Sequence, residues 1–475
     1  MRRARAFAVV GALVLGAALP AQAQQPSFTV TFGGEMRVIG YVWDNVSDFT
    51  DTADGKFKDS DSRYFQRFRL VTTVESADKR AKAVWALEIG DITWGSGGGA
   101  SGAEYGGTTT RVNPGVGGGL GSDGVNVETK HLYVQFDVPF VPGTSLLLGA
   151  HNILFLPGPA LPFLDDDALG IQLNVRSDPI DLQLWTAKAD ENNRQDADDN
   201  DLYAARLGLN VTKDTRVTVE GLVVNQQCFA RRVPVAPATT GTCLDADFGD
   251  TFWIGGTVGT KIATVSLDGT VVYGKRALFS AANNTNIEES GYGINVSARA
   301  PIGLLSTWIN GWYTTGDKNR IVGTTASAAR SPGTGQDFST VSNTSRLNGD
   351  SDKLPIPVKG KSWGGVPFVA EALFGHRTLG GPEIGQSLYQ DPSGTWGVGG
   401  SATYALAPAL SVGGGAAFVG ATEDNGVFGD HVVEIDTGAT YAYNANLSFQ
   451  LIASYLIPDS GDDAWAVGWR ARFAF

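Results

Sequence analysis

The side chains of this chain that could act on a solute are arginines that recur two positions apart. Arg67 and Arg69 form one such pair, Arg470 and Arg472 form another, and Arg37 lies within a similarly alternating segment. Arginine stays protonated at physiological pH and offers five N–H donors, so it attracts anions and orients dipolar solutes without exchanging protons. Residues two apart share one face of an extended strand. Each pair therefore predicts a strand with one cationic face.

Three consecutive aspartates provide the opposite charge. Asp165, Asp166 and Asp167 follow an apolar, proline-rich stretch that starts at Phe155. That stretch is too apolar for an exposed loop, and its prolines suit a stiff, packed path. If it lies opposite the arginines, the two charged groups produce an electric field across the gap between them. The alternative is that the three aspartates cap a short helix.

Two histidines raise the question of a metal site. His131 shares a predicted strand face with Tyr133, and a hairpin turning near Val141 would place His151 opposite His131. Paired imidazoles can bind a transition metal. No third ligand is evident, so a pH-sensitive contact or a polar lining is the favoured interpretation, and no metal site is predicted.

The remaining candidates for cofactor or catalytic chemistry are weaker. Acidic runs at 48–61 and 190–201 offer oxygen ligands for Ca²⁺ or Mg²⁺, but they lack a regular calcium-loop spacing and are typical of solvated loops. The four histidines of the chain, at 131, 151, 376 and 431, are scattered along the sequence and do not indicate a catalytic dyad. We therefore expect no catalytic residue, no cofactor and no enzymatic activity.

The elements that must position the charged side chains are strands of about ten alternating residues. In the last of them, Trp465, Trp469 and Phe473 share one face, while Arg470 and Arg472 lie on the other. Eighteen such segments can be counted, or sixteen if the weak candidate at 170–176 and its neighbour are left out. The breaks between them alternate between short and long, which is expected of a membrane barrel with tight turns at one end and long loops at the other.

Closing such a barrel makes the last strand a neighbour of the first, so the arginines form one basic wall. An arginine facing lipid at mid-depth costs about 2–4 kcal/mol, so these side chains must face an aqueous lumen. Local pairing with Glu35 or other acids, without any further role, is the alternative interpretation. The predicted constriction residues are Arg37, Arg67, Arg69, Arg470, Arg472, Asp165, Asp166 and Asp167. Further predicted lumen-lining residues are Glu35, Glu88, His131, Tyr133 and Arg206.

Composition agrees with a strand-rich membrane protein. The chain has 62 glycines among 475 residues, 10% aromatic residues and a mean hydropathy of −0.06, as expected when lipid-facing and water-facing residues alternate. Without Arg2, Arg3 and Arg5 there are 33 basic residues against 49 acidic ones, a net charge of about −16 that disfavours nucleic acid as a partner.

The N-terminal residues predict export. Three arginines precede an apolar run at 6–19, and Ala21-Gln22-Ala23 resembles a signal-peptidase site, so we expect a signal peptide at 1–23 and a single barrel domain at 24–475. The apolar run is too short to span a bilayer. Cys228 and Cys243 are the only cysteines, and in an exported chain they predict a disulfide that closes a surface loop.

Two segments resemble those of a known family. The closing pattern from Trp465 to Phe475 resembles the last strand of Gram-negative outer-membrane β-barrels, in which a final Phe belongs to the assembly signal. The segment from Phe155 to Leu169, the third external connection, resembles the constriction loop of general diffusion porins, which folds into the barrel and faces a basic wall with acidic residues. The resemblance implies an outer-membrane location, contact with lipid and lipopolysaccharide, and a homotrimer.

We therefore predict an all-β, antiparallel up-and-down barrel of 18 strands, or 16, with an inward-folded third loop. Both termini on the periplasmic side require the segment from Gly316 to Gly394 to be a single external excursion, with its apolar middle packed inside it. The expected function is passive diffusion of small hydrophilic solutes and ions. The alternatives are a channel selective for anions, carboxylates or sugars, and a structural or adhesive barrel.

Overall fold

The computed structural model describes the barrel wall and part of its connections. The described residues are 28–46, 60–94, 127–157, 162–190, 200–226, 247–280, 285–316, 370, 394–423 and 430–475. Within them, no helix is long and apolar enough to cross a membrane.

Eighteen antiparallel strands make up the described structure. They are β1 (Phe28–Asp44), β2 (Ser60–Ser76), β3 (Ala81–Thr93), β4 (Val127–Asp137), β5 (Thr144–Pro157), β6 (Pro162–Ser177), β7 (Ile180–Asp190), β8 (Asn200–Thr212), β9 (Thr215–Gln226), β10 (Asp247–Ile262), β11 (Val265–Ser280), β12 (Thr285–Ile302), β13 (Leu305–Thr314), β14 (Thr395–Ala407), β15 (Leu410–Ala421), β16 (His431–Ala442), β17 (Leu447–Pro458) and β18 (Ala464–Ala474).

The sheet closes on itself, as predicted. Each strand pairs with the next one along the chain, and β1 pairs with both β2 and β18. The main-chain N and O of Phe475 bond to Gly34 at 3.1 and 2.9 Å, which extends the closing seam to the last residue. The prediction of an 18-strand barrel is confirmed, and the alternative of 16 strands is wrong because 162–177 and 180–190 both form strands.

Alternation along the strands separates an apolar outer face from a mixed inner face. On β18 the side chains of Trp465, Trp469 and Phe473 are 37–45% exposed, whereas Ala464 and Ala466, on either side of Trp465, are fully buried. Successive side chains of a strand point to opposite faces, so the aromatic residues face outwards and the small residues face the lumen. The same alternation places Arg470 and Arg472 on the inner face.

Tight turns join the strands at one end of the barrel, which we call the short-turn end. Between β2 and β3, Asp78 accepts hydrogen bonds from Ser76 Oγ at 2.6 Å and from the Arg80 main-chain N at 3.1 Å. These donors, the Ser76 hydroxyl first, hold the pKa of the Asp78 carboxyl below its usual value of 3.8. An aspartate that accepts bonds from its neighbours in this way stabilises a tight turn.

The connections at the other end are less uniform than the sequence predicts. The connection between β11 and β12, which should be long if short and long breaks alternate, spans only 281–284, because β11 continues to Ser280 and β12 begins at Thr285. The third connection spans only 158–161, because the flanking residues prolong β5 and β6. Strict alternation of short and long breaks is therefore wrong in detail, although it predicts the direction of every strand.

The β5–β6 hairpin leaves the wall and enters the lumen. Pairing of β4 with β5 ends at Ala150, and pairing of β6 with β7 ends at Leu169, yet β5 and β6 stay paired as far as Pro157 and Pro162. This free end, residues 151–157 and 162–168, is called the inward hairpin below. Its position confirms that the third connection folds inwards, here as a paired hairpin.

An apolar cluster holds the inward hairpin inside the barrel. Phe155 packs edge-on against Phe163 at 6.2 Å between ring centroids, and Phe163 packs against Trp253 of β10 at 6.4 Å. Leu156 is completely buried. Burying one such side chain contributes about 1.5–3 kcal/mol. Ala370, the one described residue within 317–393, is also fully buried and belongs to this cluster.

Candidate functional site

The arginines predicted to form a wall are neighbours on β1, β2 and β18. Arg37 lies directly opposite Arg67 on one side and Arg472 on the other. Arg69 and Arg470 lie two positions along their strands from Arg67 and Arg472, on the same face. We call these five residues the arginine wall. The structure thus brings together side chains from the first, second and last strands.

Two glutamates lie between the arginines. Glu35 accepts a hydrogen bond from Arg472 Nε at 2.7 Å and from Arg67 Nη2 at 3.3 Å. Glu88 of β3 pairs with Arg69 and lies 4.0 Å from Arg67 Nε. Like charges on neighbouring strands repel each other, and these carboxylates offset part of that repulsion. Five arginines and two glutamates leave the wall with a formal charge of about +3.

Polar and aromatic neighbours hold other arginines of this inner face in place. Arg470 donates a hydrogen bond to Gln450 of β17. Arg63, which shares the inner face of β2 with Arg67, stacks over the ring of Trp43 at 5.2 Å. Guanidinium–indole contacts of this kind hold the side chain in place and keep its charge. The arginines are therefore paired locally with acidic and polar side chains, and the arginine wall still keeps a net positive charge.

The three aspartates lie in strand β6, so the interpretation that they cap a short helix is wrong. Asp167 pairs with Lys130 of β4 and lies 2.9 Å from His131 Nε2. Asp165 accepts a hydrogen bond from Asn152 of β5 at 2.7 Å. The inward hairpin bends out of the barrel wall into the lumen, and Asp167 on it therefore contacts β4. The contacts of Asp167 thus secure the base of the hairpin to β4, and that of Asp165 joins the two strands of the hairpin. The partners of these two aspartates are residues of β4 and β5 and not of the arginine wall.

The predicted histidine pair lies at the same base. His131 and Tyr133 are 6.4 Å apart, and Tyr133 is 6.5 Å from His151, measured between ring centroids. His151 Nδ1 lies 2.9 Å from the carbonyl oxygen of Gly149. In the part of the chain that the structure describes, no group of three or more His, Cys, Asp or Glu residues could hold a metal ion. The histidines contribute to the polar lining around the hairpin.

Two charged residues of β8 and β9 anchor the tip of the inward hairpin. Arg206 of β8 and Glu220 of β9 form an ion pair of 2.7 Å. Arg206 Nη2 donates to the carbonyl oxygen of Leu154 at 3.1 Å, and Glu220 Oε2 accepts from the main-chain N of Leu156 at 2.8 Å. Charge-assisted hydrogen bonds are among the stronger ones in proteins. The hairpin is therefore pinned by both charge and apolar packing.

Sequence reasoning missed several residues of this site. Lys130 sits at a β-bulge where β4 departs from regular pairing with β3, and Gln450 carries no charge to draw attention to it. Arg206 is placed correctly in the lumen by alternation, but its contact with Leu154 depends on the bend of the hairpin. The predicted disulfide of Cys228 and Cys243 and the signal peptide at 1–23 lie outside the described residues, as do positions 48–59 and 191–199 of the acidic runs at 48–61 and 190–201.

Comparison with known proteins finds similarity in fold. No family model and no curated protein sequence matches this chain. Among solved structures, the outer membrane protein OpdK from Pseudomonas aeruginosa is similar with a TM-score of 0.51 and 9% identity over 94% of this chain and 98% of that one. The same protein has also been solved with vanillate.

Two further structures from Pseudomonas aeruginosa are similar to the same extent. OccK8 (OprE) has a TM-score of 0.51 at 11% identity, and OccK9 (OpdG) has a TM-score of 0.51 at 12% identity. Each comparison covers 94% of this chain and 98% of the other. At such identities the likeness is one of fold, and the chain has the barrel fold of these outer-membrane proteins.

Proposed function

We propose that this protein is an outer-membrane porin that passes small hydrophilic solutes and ions by diffusion. The observation that carries the proposal is the closed 18-strand barrel with an arginine wall on its inner face and an inward hairpin that narrows the lumen. A barrel interior with charged residues on several strands is suited to water and dissolved ions. The apolar outer face is suited to lipid.

The charges of the lumen determine how a solute passes. The arginine wall attracts anions and the negative end of dipolar solutes, and the low-dielectric barrel concentrates this field where the hairpin reduces the open section. A polar solute can align with the field and pass. An uncharged apolar solute makes no favourable interaction with the charged lumen. Nothing therefore offsets the loss of its contacts with lipid or with other apolar molecules.

A channel selective for anions or carboxylates is the second candidate. It is favoured by the net charge of the arginine wall, because arginine binds carboxylates with two parallel hydrogen bonds. Vanillate, with which the similarly folded OpdK has been solved, is an aromatic carboxylate. In this version of the proposal the wall binds the solute instead of only shaping the field.

Maturation and assembly belong to the same proposal. Cleavage after Ala23, a disulfide between Cys228 and Cys243, contact with lipopolysaccharide and a homotrimer are all expected of an exported porin. N-terminal sequencing of the mature protein should begin at Gln24. Thiol labelling under non-reducing conditions and light scattering of the detergent-solubilised protein test the disulfide and the trimer.

Currents through planar bilayers test the proposed function. A diffusion porin gives currents that rise linearly with salt concentration and are not blocked by any one solute. A selective channel shows saturating current and block by a carboxylate such as benzoate at millimolar concentration. A barrel that carries no current under any condition has a structural or adhesive role, and this result would reject both channel proposals.

A further inference from the structure

An uncharged polar patch lies on the inner wall, on the short-turn side of the base of the inward hairpin. Asn174 of β6 is directly opposite Ser145 of β5 and Gln183 of β7, and Gln172 lies two positions along β6 from Asn174, on the same face. We call these four residues the amide patch. All four are partly exposed, so a solute in the lumen can touch their polar atoms.

Hydrogen bonds and packing fix the orientation of the amide groups. Gln172 Nε2 and Gln183 Nε2 both donate to Asn174 Oδ1, at 2.9 and 3.1 Å. Leu147 and Trp185, which lie opposite Gln172 on β5 and β7, are only 7% and 5% exposed and pack on either side of it. Two interactions of this kind leave the three amides little freedom, so their remaining polar atoms are already oriented when a solute arrives.

The remaining polar atoms of the amide patch include both donors and acceptors. The Nδ2 group of Asn174 carries two N–H donors, and the carbonyl oxygen of Gln183 is an acceptor. Among the residues that the structure describes, neither group has a hydrogen-bond partner. Because both residues are partly exposed, these groups are open to the lumen and can exchange a water molecule for a polar group of a solute.

The amide patch has no charge of its own. The inner-face residues of its two rows on β5, β6 and β7 are Ser145, Leu147, Gln172, Asn174, Gln183 and Trp185. Where the inner face continues, the charged residues meet an opposite charge, since Arg206 lies 2.7 Å from Glu220 and Arg176 is directly opposite Asp181. An ion that gives up water for this patch therefore gains no counter-charge to offset the lost hydration.

A neutral solute with several hydroxyl groups meets no such penalty. Each hydroxyl both donates and accepts hydrogen bonds, and so does each amide group. The solute exchanges bonds to water for bonds to the amides, and no ion has to lose its hydration. Arginine offers donors only, so the arginine wall and the amide patch suit different solutes.

We propose that the amide patch binds neutral polyhydroxyl solutes, such as sugars and cyclic polyols, during their passage through the barrel. The inward hairpin leaves the wall after Ala150 and Leu169, so the amide patch is the inner surface that a solute meets directly below the hairpin base. This inference rests on the proposed function and names a solute class for it. The class is set by hydroxyl groups and not by charge.

Binding can be measured without any current. The probe is myo-inositol, titrated into the full-length barrel in a detergent without a sugar headgroup and followed by saturation-transfer NMR. Cyclohexanol, which has the same ring with one hydroxyl, should bind at least tenfold more weakly. Asn174→Leu has a side chain of similar size without donors and should weaken myo-inositol binding about tenfold. Thr403→Val, which removes an inner-face hydroxyl of β14, is the control and should have no effect.

A second variant separates the donors of Asn174 from its role in holding the patch together. In Asn174→Asp the carboxylate still accepts hydrogen bonds from Gln172 and Gln183, but the two N–H donors are gone. Binding of myo-inositol should again fall about tenfold. The proposal is overturned if either variant binds myo-inositol as the wild type does, or if cyclohexanol competes equally well.

Folding and conductance are measured on the same preparations. Native folding of each variant is checked by its gel mobility before and after heating, and Gln183→Leu, which should weaken binding several-fold, replaces any variant that does not fold. Bilayer currents separate this proposal from the proposed function. Asn174-dependent binding by a barrel that carries no current supports the amide patch and rejects the channel, whereas current without such binding supports the channel and rejects the amide patch.

Discussion

Glu35 on the first strand accepts a hydrogen bond from Arg472 on the last strand at 2.7 Å, across 437 positions of the sequence. Only closure of the barrel can make this contact. The same closure places Arg37 between Arg67 and Arg472. The charged part of the lumen and the seam that completes the fold are therefore one structure, and changes to one should alter the other.

Replacing Arg67 and Arg69 with serine should shift the ion preference towards cations. The double variant changes the formal charge of the arginine wall from about +3 to about +1, and Glu35 and Glu88 lose partners. The reversal potential in a salt gradient across a planar bilayer measures this shift. Arg80→Ser, in an exposed turn 3.8 Å from Asp137, is the matched control and should behave as the wild type. An unchanged reversal potential in the double variant would mean that these side chains do not line the pore.

Glu35→Gln should raise anion preference and weaken the barrel. The variant keeps the shape of the side chain but removes the carboxylate between Arg67 and Arg472, which stand 3.3 and 2.7 Å from it. Loss of a hydrogen bond to a charged group destabilises by about 1–3 kcal/mol. The temperature at which the folded band disappears in a gel-shift assay should fall. A variant with unchanged stability and selectivity would contradict the role given to Glu35.

Glu220→Ala should loosen the inward hairpin. The change leaves Arg206 without its ion-pair partner and the main-chain N–H of Leu156 without its acceptor. We expect a larger and noisier single-channel current, because the hairpin tip then moves away from the wall. Asn210→Ala, on the neighbouring strand β8 away from the hairpin tip, serves as the control. A smaller or equally steady current in Glu220→Ala would show that the hairpin does not restrict the lumen.

Phe475→Ala should reduce the yield of folded barrel. Phe475 stacks on Phe68 with ring centroids 6.1 Å apart, next to its main-chain bonds with Gly34. An aromatic pair contributes about 0.5–1.5 kcal/mol of stability beyond the area that it buries. The variant loses this contribution. The folded fraction after refolding into lipid vesicles measures the effect. Phe449→Ala, another outer-face aromatic away from the closing seam, should refold nearly as well as the wild type.

Asp78→Asn should destabilise the barrel at neutral pH but not in strong acid. The pKa of Asp78 is lowered in the folded state, so the ionised carboxylate adds stability above its unfolded pKa of 3.8, and that contribution is lost as the pH falls through the lower folded value. The midpoints of urea unfolding for wild type and variant should therefore differ at pH 7 and converge once the pH lies below the lowered folded pKa. A difference that persists unchanged in acid would indicate a structural role independent of charge.

The barrel and the arginine wall could be predicted because both depend on a local rule. Period-two alternation assigns Arg470 and Arg472 to the face opposite Trp469, and closure of an even number of strands brings them beside Arg37. No partner contact has to be known for either step. The position of Arg206 in the lumen follows from alternation in the same way.

The partners of the aspartates could not be predicted, because they depend on register and bending. Asp167 reaches Lys130 only because β4 bulges and the inward hairpin leaves the wall. Alternation assigns faces, but it does not align residues of neighbouring strands.

One measurement tests the central claim, that the arginine wall lines a water-filled pore. Cysteine is placed at Arg69 or at the adjacent outer-face Leu70 in a background with Cys228 and Cys243 replaced by serine, and single-channel current is recorded while a negatively charged, water-soluble methanethiosulfonate reagent is added. We predict open channels in both variants, with a stepwise fall in current on labelling at position 69 and no change at position 70. A closed barrel, or an equal response at the two positions, would contradict the claim.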